Sequence, residues 1–436
     1  MKTNLQKILA LLARAVIHKY KPTVIAITGS VGKTSARTAI FDVLKTTRRV
    51  RTAAKNFNNE IGVPLTILGI DHQGKNIVAW AWSLAHVWLD LRFSNKPYPE
   101  ILVLEYGVDR PGDMDYLISI ARPDIAVVTA IGEVPAHIEF FADAEAVANE
   151  KAKIVAALPI EGYAILNHDD YTVYDMQEKT KAHVMTYGFE EHADVRIVNY
   201  ELRVTKDEAH GDVPDGISFK IEQSGSMVPV RLHNTFGTPA CFAAAAAAAV
   251  GLVLNKNMVE ISEALVGYVP PPGRLRLLKG NKHSFILDDT YNASPEAMRA
   301  ALETLVALPG KRRIAVLGDM LEIGTYTEQA HRSIGDKVAQ VADLLVTVGA
   351  RAKFIADEAM MRGAERGGNV LAPDQVMRFD DPMNAGKALD PLIKEGDVIL
   401  IKGSQGMRME RAVYEIMATP LFAKDLLVRQ EGYWRQ

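Results

Sequence analysis

The residues with most chemical content stand in one stretch, Thr28-Gly29-Ser30-Val31-Gly32-Lys33-Thr34-Ser35, directly after the apolar run 24–27. Gly29 and Gly32 allow the backbone to turn so that successive N–H groups face one concavity. A helix starting at Lys33 adds its positive end, Lys33 adds a point charge, and Thr34 offers a hydroxyl to Mg²⁺. This is the chemistry of a phosphate cradle. Ile27 occupies the place where the longer P-loop pattern has glycine, so the match is to the shorter form G-x-x-G-K-T. ATP or a relative is the implied ligand.

Glu105 ends the apolar run 101–104, and the C-terminal edge of a strand is where open α/β sheets hold their ligands. It reads as a metal ligand beside the phosphates, or alone as a solvated strand-end acid. His137 follows the strand-like 127–129, and beside Thr34 and Glu105 it reads as a ligand to a second metal. Lys151 lies on the helical stretch 144–158. The segment Asn58-Asn59-Glu60-Ile61-Gly62-Val63-Pro64 is a polar loop closing in a constrained turn.

These groups require an α/β scaffold. Strand-like runs at 24–27, 101–104, 125–129 and 164–166 alternate with helical segments, which predicts a mostly parallel sheet covered by helices. Residues 190–232 instead read as short strands separated by Gly, Asp and Ser, a small antiparallel addition. The alanine-rich 240–254 predicts a helix packed against the sheet. Pro270-Pro271-Pro272-Gly273 predicts a boundary, because consecutive prolines join neither helix nor sheet interior. Apolar runs at 285–287, 313–317, 344–348 and 398–401 then predict a second α/β unit. The expected organisation is an N-terminal helix over 1–22, a central P-loop unit over 23–272 and a Rossmann-like unit over 273–436.

The chain has 436 residues and a net charge of −3, with Lys and Arg scattered among as many acids, so nucleic acid is not an expected partner. The single Cys241 excludes a disulfide framework and a cysteine zinc site, which fits a reducing cytoplasm. In the first helix Leu5, Ile8, Leu9, Leu12 and Val16 form one face, read as a packing face or a weak membrane-surface face. Residues 77–93 crowd Trp80, Trp82 and Trp88 with Leu84, Val87 and Leu91. The helical spacing at 77, 80, 84, 87, 88 and 91 predicts a core or interface helix, with contact to a partner or a membrane edge as the alternative. Both segments are too short to span a bilayer.

The ordered motifs Thr28-Gly29-x-x-Gly32-Lys33-Thr34, Asn58 to Pro64, Glu105, His137, Lys151, Pro272-Gly273-Arg274, Asp288-Asp289-Thr290-Tyr291-Asn292-Ala293-Ser294-Pro295, Gly318-Asp319-Met320-Leu321-Glu322-Ile323-Gly324 with His331, and Lys402-Gly403-Ser404 resemble the Mur ligases of cell-wall synthesis. Within that family the likeness is greatest to the member that adds D-alanyl-D-alanine, and it covers nearly everything from Lys21 onward. The resemblance implies an ATP-dependent amide ligase with a central ATPase domain and a C-terminal Rossmann-like domain. It further implies that a muropeptide carboxylate is activated as an acyl phosphate and passed to the amine of D-Ala-D-Ala. It implies that Gly29, Ser30, Val31, Gly32, Lys33, Thr34 and Ser35 hold the phosphates, with Asn59, Arg274, Asp289 and Asn292 also on the nucleotide. Thr34 and Glu105 would ligate a first Mg²⁺ and His137 would serve a second, supported by a carbamylated Lys151. Asn58, Glu322, His331, Lys402, Ser404 and Arg408 would meet substrate.

The chain also departs from the family. The Gly-x-His-Asn segment that meets adenine would fall at Gly237-Thr238-Pro239-Ala240, and Gln405 stands where arginine is frequent, leaving Arg408 as the nearer cation. Only Met1 to Pro22 precede the P-loop strand where the family member carries a UDP-sugar-gripping domain, so that grip is expected to be missing or rebuilt. A lipid-linked or other non-UDP acceptor is the alternative within enzymes. A noncatalytic ATP-binding scaffold is the alternative outside them, and retention of Lys33, Glu105, His137 and Lys151 argues against it. A monomer is expected.

Overall fold

The computed structural model describes residues 2–53, 57–94, 96–207, 211–366 and 371–430. Its first sheet uses β1 (Thr23–Thr28), β2 (Val50–Thr52), β3 (Ile101–Glu105), β4 (Ile125–Val128), β5 (Tyr163–Asn167), β6 (His183–Gly188), β7 (Val195–Asp207), β8 (Gly211–Gln223) and β9 (Ser226–His233). Their order is β2-β3-β1-β4-β5-β6-β7-β8-β9, parallel as far as β7 and antiparallel from β7 to β9. The expected antiparallel addition is therefore present, as longer strands than the residue pattern indicates. β1 sits between β3 and β4, so the loop leaving its C-terminal end is flanked by the ends of both neighbours.

Strand alternation sends β1 side chains into two cores. Val24 and Ala26 join the one covered by α1 (Lys2–Tyr20), α3 (Gly62–Leu68), α4 (Ile77–Phe93), α5 (Asp113–Ile120) and α6 (Ala144–Ala156). Ile25 and Ile27 join the one covered by α2 (Lys33–Leu44) and by α8 (Thr238–Val253) and α9 (Met258–Leu265), which follow the short α7 (Tyr171–Tyr174). Burial on both faces is why β1 is a continuous apolar run. In α8 the side chains from Ala240 to Val250 are buried except at the rim residue Phe242, and their small size lets α2 approach closely.

The prolines 270–272 lie in coil, and beyond them a second sheet uses β10 (Arg276–Lys279), β11 (Phe285–Asp289), β12 (Arg312–Gly318), β13 (Leu344–Val348), β14 (Val376–Phe379) and β15 (Asp397–Lys402). The order is β10-β11-β15-β12-β13-β14, parallel except at β10. Helices α10 (Pro295–Ala307) and α11 (Thr327–Val341) cover one face. The protein is thus a mixed α/β structure with a large, mostly parallel sheet and a second sheet.

Two surface segments differ in detail from expectation. In α1 the inward side is Leu9, Leu12, Ala13 and Val16, whereas Ile8 is 47 % exposed. In α4 only Trp80 and Val87 are buried, while Trp82 and Trp88 face outward. No helix among the described residues is long and apolar enough to cross a membrane. Leu9→Ala should therefore cost about 2–5 kcal/mol through the cavity it leaves, and Ile8→Ala less than about 0.5 kcal/mol. Urea midpoints of the two variants check this.

Candidate active site

The loop after β1 is shaped by steric demand. Gly29 has φ 142°, and a Cβ there would lie 2.1 Å from Thr129 Oγ1. Gly32, at φ 90°, opens α2 without a side-chain cap. Two of the amides expected to face a phosphate are already engaged, since Ser30 N–H and Val31 N–H donate to Ala130 O at 2.6 and 3.1 Å. That correction leaves Gly32, Lys33 and Thr34, whose N–H groups meet no acceptor among the described residues. Ser35, in the first turn of α2, lies beside Tyr268.

Two lysines converge on this turn. Lys33 Nζ donates to Gly29 O at 2.6 Å, and Lys151 Nζ, arriving from α6, donates to the same oxygen at 3.3 Å. Among the described residues neither forms an ion pair with a carboxylate, and Glu105 and Asp109 act on Lys33 only at longer range. Burial, the larger cause, and the charge of Lys33 push the Lys151 ammonium down to about 7, and burial likewise lowers Lys33. The preceding residue of α6 helps hold Lys151 in place: Glu150 accepts from Gly112 N and Met114 N at 2.9 and 3.0 Å, tying α6 to the start of α5.

Thr34 Oγ1 donates to Glu105 Oε2 at 3.3 Å, so the two expected ligands of the first metal are adjacent. Glu105 Oε1 lies 3.2 Å from Arg37 Nε as an ion pair without hydrogen-bond alignment. A buried carboxylate oxygen with spare acceptor capacity beside a hydroxyl fits Mg²⁺, which keeps several waters and needs few protein ligands. Among the described residues no group of three or more His, Cys, Asp or Glu side chains forms a protein-only metal cage.

His137, at φ 66°, sits between two acids, with Nδ1 2.7 Å from Glu322 Oε2 and Nε2 3.4 Å from Asp109 Oδ1. Burial lowers its pKa against the pull of both carboxylates. Glu322 belongs to the loop after β12, so this contact joins the two sheets. Arg274 makes a second junction. It lies over the Tyr291 ring at 3.9 Å and reaches Thr34 Oγ1 with Nη2 at 3.5 Å.

Several motif residues sit behind the site. Asp289 pairs with Lys402 at 2.6 Å, both buried, and accepts from Leu275 N at 3.2 Å. His331 is fully buried, with Nε2 accepting from Met320 N at 3.0 Å and Nδ1 donating to Thr327 O at 2.6 Å. Ser404 Oγ accepts from Leu321 N at 2.8 Å. These buried residues hold loops through the bonds they make. Asn59 Oδ1 accepts from Gly62 N at 2.9 Å at the start of α3, and Asn292 Oδ1 accepts from Gln405 N at 3.2 Å. Arg408 pairs with Glu410 at 2.6 Å, and Asn58 packs against Gly107 just after Glu105. Asp109, Arg37 and Tyr291 were not singled out by sequence reasoning, although Asp109 lies four residues past Glu105 on the same strand-end loop.

A cavity of about 440 Å³ opens beside Val31 and Gly32, between the first sheet and α10. Asn167, Thr238, Pro239 and Phe242 line one side and Glu296 and Arg299 the other. Pro239, the first position of the missing His-Asn pair, lines this cavity next to Thr238, so that segment faces a cavity despite its altered residues.

Residues 85–227 match the family profile described as Mur ligase middle domain, and residues 273–405 the one described as Mur ligase, glutamate ligase domain. The UDP-N-acetylmuramoyl-tripeptide--D-alanyl-D-alanine ligase of Bacillus subtilis (strain 168) is 30% identical over 416 residues, which cover 94% of this chain and 79% of that protein. The Escherichia coli (strain K12) protein of the same name is 28% identical over 410 residues, covering 92% and 78%. The solved structure of MurF ligase from Thermotoga maritima in complex with ADP superposes with a TM-score of 0.75 at 28% identity, over 94% of this chain and 83% of that one. The P-loop, the lysine pair and the motifs on both sheets thus fall within aligned sequence and a shared fold, and the chain belongs to the Mur ligase family.

Proposed function

We propose that the chain is an ATP-dependent ligase of peptidoglycan-precursor synthesis, joining the carboxylate of a UDP-linked muramoyl tripeptide to the amine of D-Ala-D-Ala. The observation that carries this reading is the pair of lysines on Gly29 O, neither ion-paired to a carboxylate among the described residues, set beside three open amides and a cavity of about 440 Å³. Such a site is completed by a polyanion. The relatives' names supply the two organic substrates.

Reaction proceeds in two balanced steps. A carboxylate oxygen of the acceptor bonds to the γ-phosphorus as the bond to the bridging oxygen breaks, giving an acyl phosphate and ADP. The amine then bonds to the acyl carbon, the carbon–oxygen bond to phosphate breaks, and the amine proton is lost. Lys33 and the amides of Gly32, Lys33 and Thr34 hold phosphate oxygens and offset the charge that develops on them. Arg274 adds charge from the second sheet, so approach of the two sheets completes the site and excludes water that would hydrolyse the acyl phosphate.

Thr34 and Glu105 would hold a first Mg²⁺, and His137 with a carbamylated Lys151 a second; bound there, the ions neutralise phosphate charge and orient oxygen atoms. The Lys151 amine is suited to carbamylation because burial keeps much of it neutral near pH 7. The neutral amine nitrogen bonds to CO₂ and loses one proton, and with the proton given up earlier by the ammonium this replaces a buried cation by an anion beside Lys33. The two units, 23–272 and 273–436, act in this reading as closing domains, and the protein works as a monomer in the cytoplasm.

Incubation with ATP, Mg²⁺, UDP-MurNAc-tripeptide and D-Ala-D-Ala should release phosphate only when both organic substrates are present, with the amide product seen by mass spectrometry. ATP binding without product from any muramoyl acceptor would overturn the proposal. Lys33→Ala should lower turnover by at least roughly a hundredfold. Lys151→Ala should be far more damaging than Lys153→Ala, whose ammonium bonds Asp115 and Glu150 at the surface; equal losses would remove the carbamate role.

Lys151 also predicts a pH signature. Its folded pKa, about 7, lies below the ordinary value of 10.5, so between these values the unfolded chain binds the extra proton and stability rises with pH. Lys151→Met should therefore raise the thermal midpoint of ligand-free protein more near neutral pH than above the ordinary lysine value. A pH-independent gain would contradict the buried, partly neutral amine.

A further inference from the structure

Helix α4 lies away from the phosphate loop, and the ligase reading makes no use of it. Its inward side is Trp80, Leu84, Val87 and Leu91, which pack on the core beneath α1. Its outward side is also apolar. Ile77 is 63% exposed, Val78 79%, Trp82 76%, Trp88 56% and Phe93 73%, with Leu89 and the small Ala81 and Ala85 exposed among them. At 3.6 residues per turn these positions occupy one continuous side about 160° wide, and Arg92 is the one polar residue within it. A contiguous exposed patch of this kind marks an interaction surface.

The charges on and around the face select the occupant. Lys75 is exposed at one end of the helix, and Lys96 and Lys19 at the other, where Lys19 Nζ donates to Leu91 O at 2.6 Å. No carboxylate stands on the face. The acid nearest to it on the helix, Asp90, is turned beyond its edge and lies 3.6 Å from His86. A two-fold pairing with a second copy would bury Arg92 against apolar surface with no acid to meet it. An anionic bilayer surface supplies what the face lacks: headgroup phosphates for Arg92, Lys75, Lys96 and Lys19, and an apolar boundary for Trp, Phe, Ile and Val. The Trp82 and Trp88 indole N–H groups have no protein acceptor among the described residues, as suits rings that lie at a headgroup boundary.

We propose that the outward face of α4 docks the protein peripherally on anionic phospholipid membranes, with the Trp82 and Trp88 rings inserted at the headgroup level and Arg92 snorkelling to lipid phosphate. At 17 residues, α4 lies in the surface and does not cross it. The docking is independent of turnover, because no side chain of the phosphate site belongs to this helix.

The test is co-sedimentation of the full chain with phosphatidylglycerol-containing vesicles and with pure phosphatidylcholine vesicles, together with tryptophan emission. The protein should pellet with the anionic vesicles, shift its emission to shorter wavelength and be released by salt. Trp82→Ser combined with Trp88→Ser should weaken partitioning at least about tenfold while leaving the thermal midpoint and nucleotide binding unchanged. Arg92→Glu should weaken binding to anionic vesicles selectively. The proposal is overturned if the native chain stays in the supernatant, if the double variant partitions equally, or if the face instead mediates a dimer that sedimentation detects and the double variant abolishes.

Discussion

The carbonyl oxygen of Gly29 is the point on which the site depends. It accepts from two ammonium groups, those of the half-buried Lys33 and the fully buried Lys151, and among the described residues neither forms an ion pair with a carboxylate. Holding both charges here is costly even with Glu105 and Asp109 at longer range, and the cost is lowered by transfer of a proton or by arrival of an anion. The surrounding structure keeps both routes available. Thr129 and Ala130 fix the turn from the neighbouring strand, Gly29 allows that close approach, and Glu150 anchors α6 so that Lys151 cannot swing out to solvent. An empty site is therefore the less stable one, and nucleotide binding returns free energy to the fold.

The second sheet is fastened at the linker so that it can act on this charge. Asp288 accepts from Gly273 N at 3.2 Å and Asp289 from Leu275 N at 3.2 Å, so the residues on either side of Arg274 are pinned to the end of β11. Asp288 itself is fully buried and pushed up to about 6 by that burial. The guanidinium is in this way aimed at Thr34 by backbone constraint more than by its own contacts. Behind it, Lys402, Ser404 and His331 lock the loops that carry Asn292 and Glu322. Their burial explains why the motif is dense in polar residues that do not face a ligand: each satisfies a backbone group that the tight loops would otherwise leave unpaired.

Much of this was legible in the sequence, and the reasons differ by residue. The alternation of apolar runs gave the parallel sheet because β1, β3 and β4 are buried on both faces, and a strand-end acid next to a G-x-x-G-K-T turn gave the Glu105–Thr34 adjacency. Burial direction was less legible. Residues 77–93 are apolar nearly all round, so periodicity could not say which tryptophan points inward; packing against α1 decides it, and Trp80 enters while Trp82 and Trp88 remain outside. The same limit applies to His331 and Asp289, whose motif identifies them without telling a ligand contact from a loop anchor. Asp109 and Tyr291 become visible only when the fold brings them to His137 and Arg274.

The cavity beside Val31 and Gly32 adds the last link between binding and motion. Its walls come from both sheets, with Thr238 and Phe242 on one side and Glu296 and Arg299 on the other. In the proposed reaction a base seated there would contact the second unit directly, while its phosphates would draw Arg274 toward Thr34. Binding energy from a part of the nucleotide that does not react would thereby be available to hold the two sheets together at the moment of phosphoryl transfer. The absence of the His-Asn pair at Pro239-Ala240 would alter which groups meet the base but leave this coupling intact, because the coupling rests on where the cavity lies and not on a single hydrogen bond.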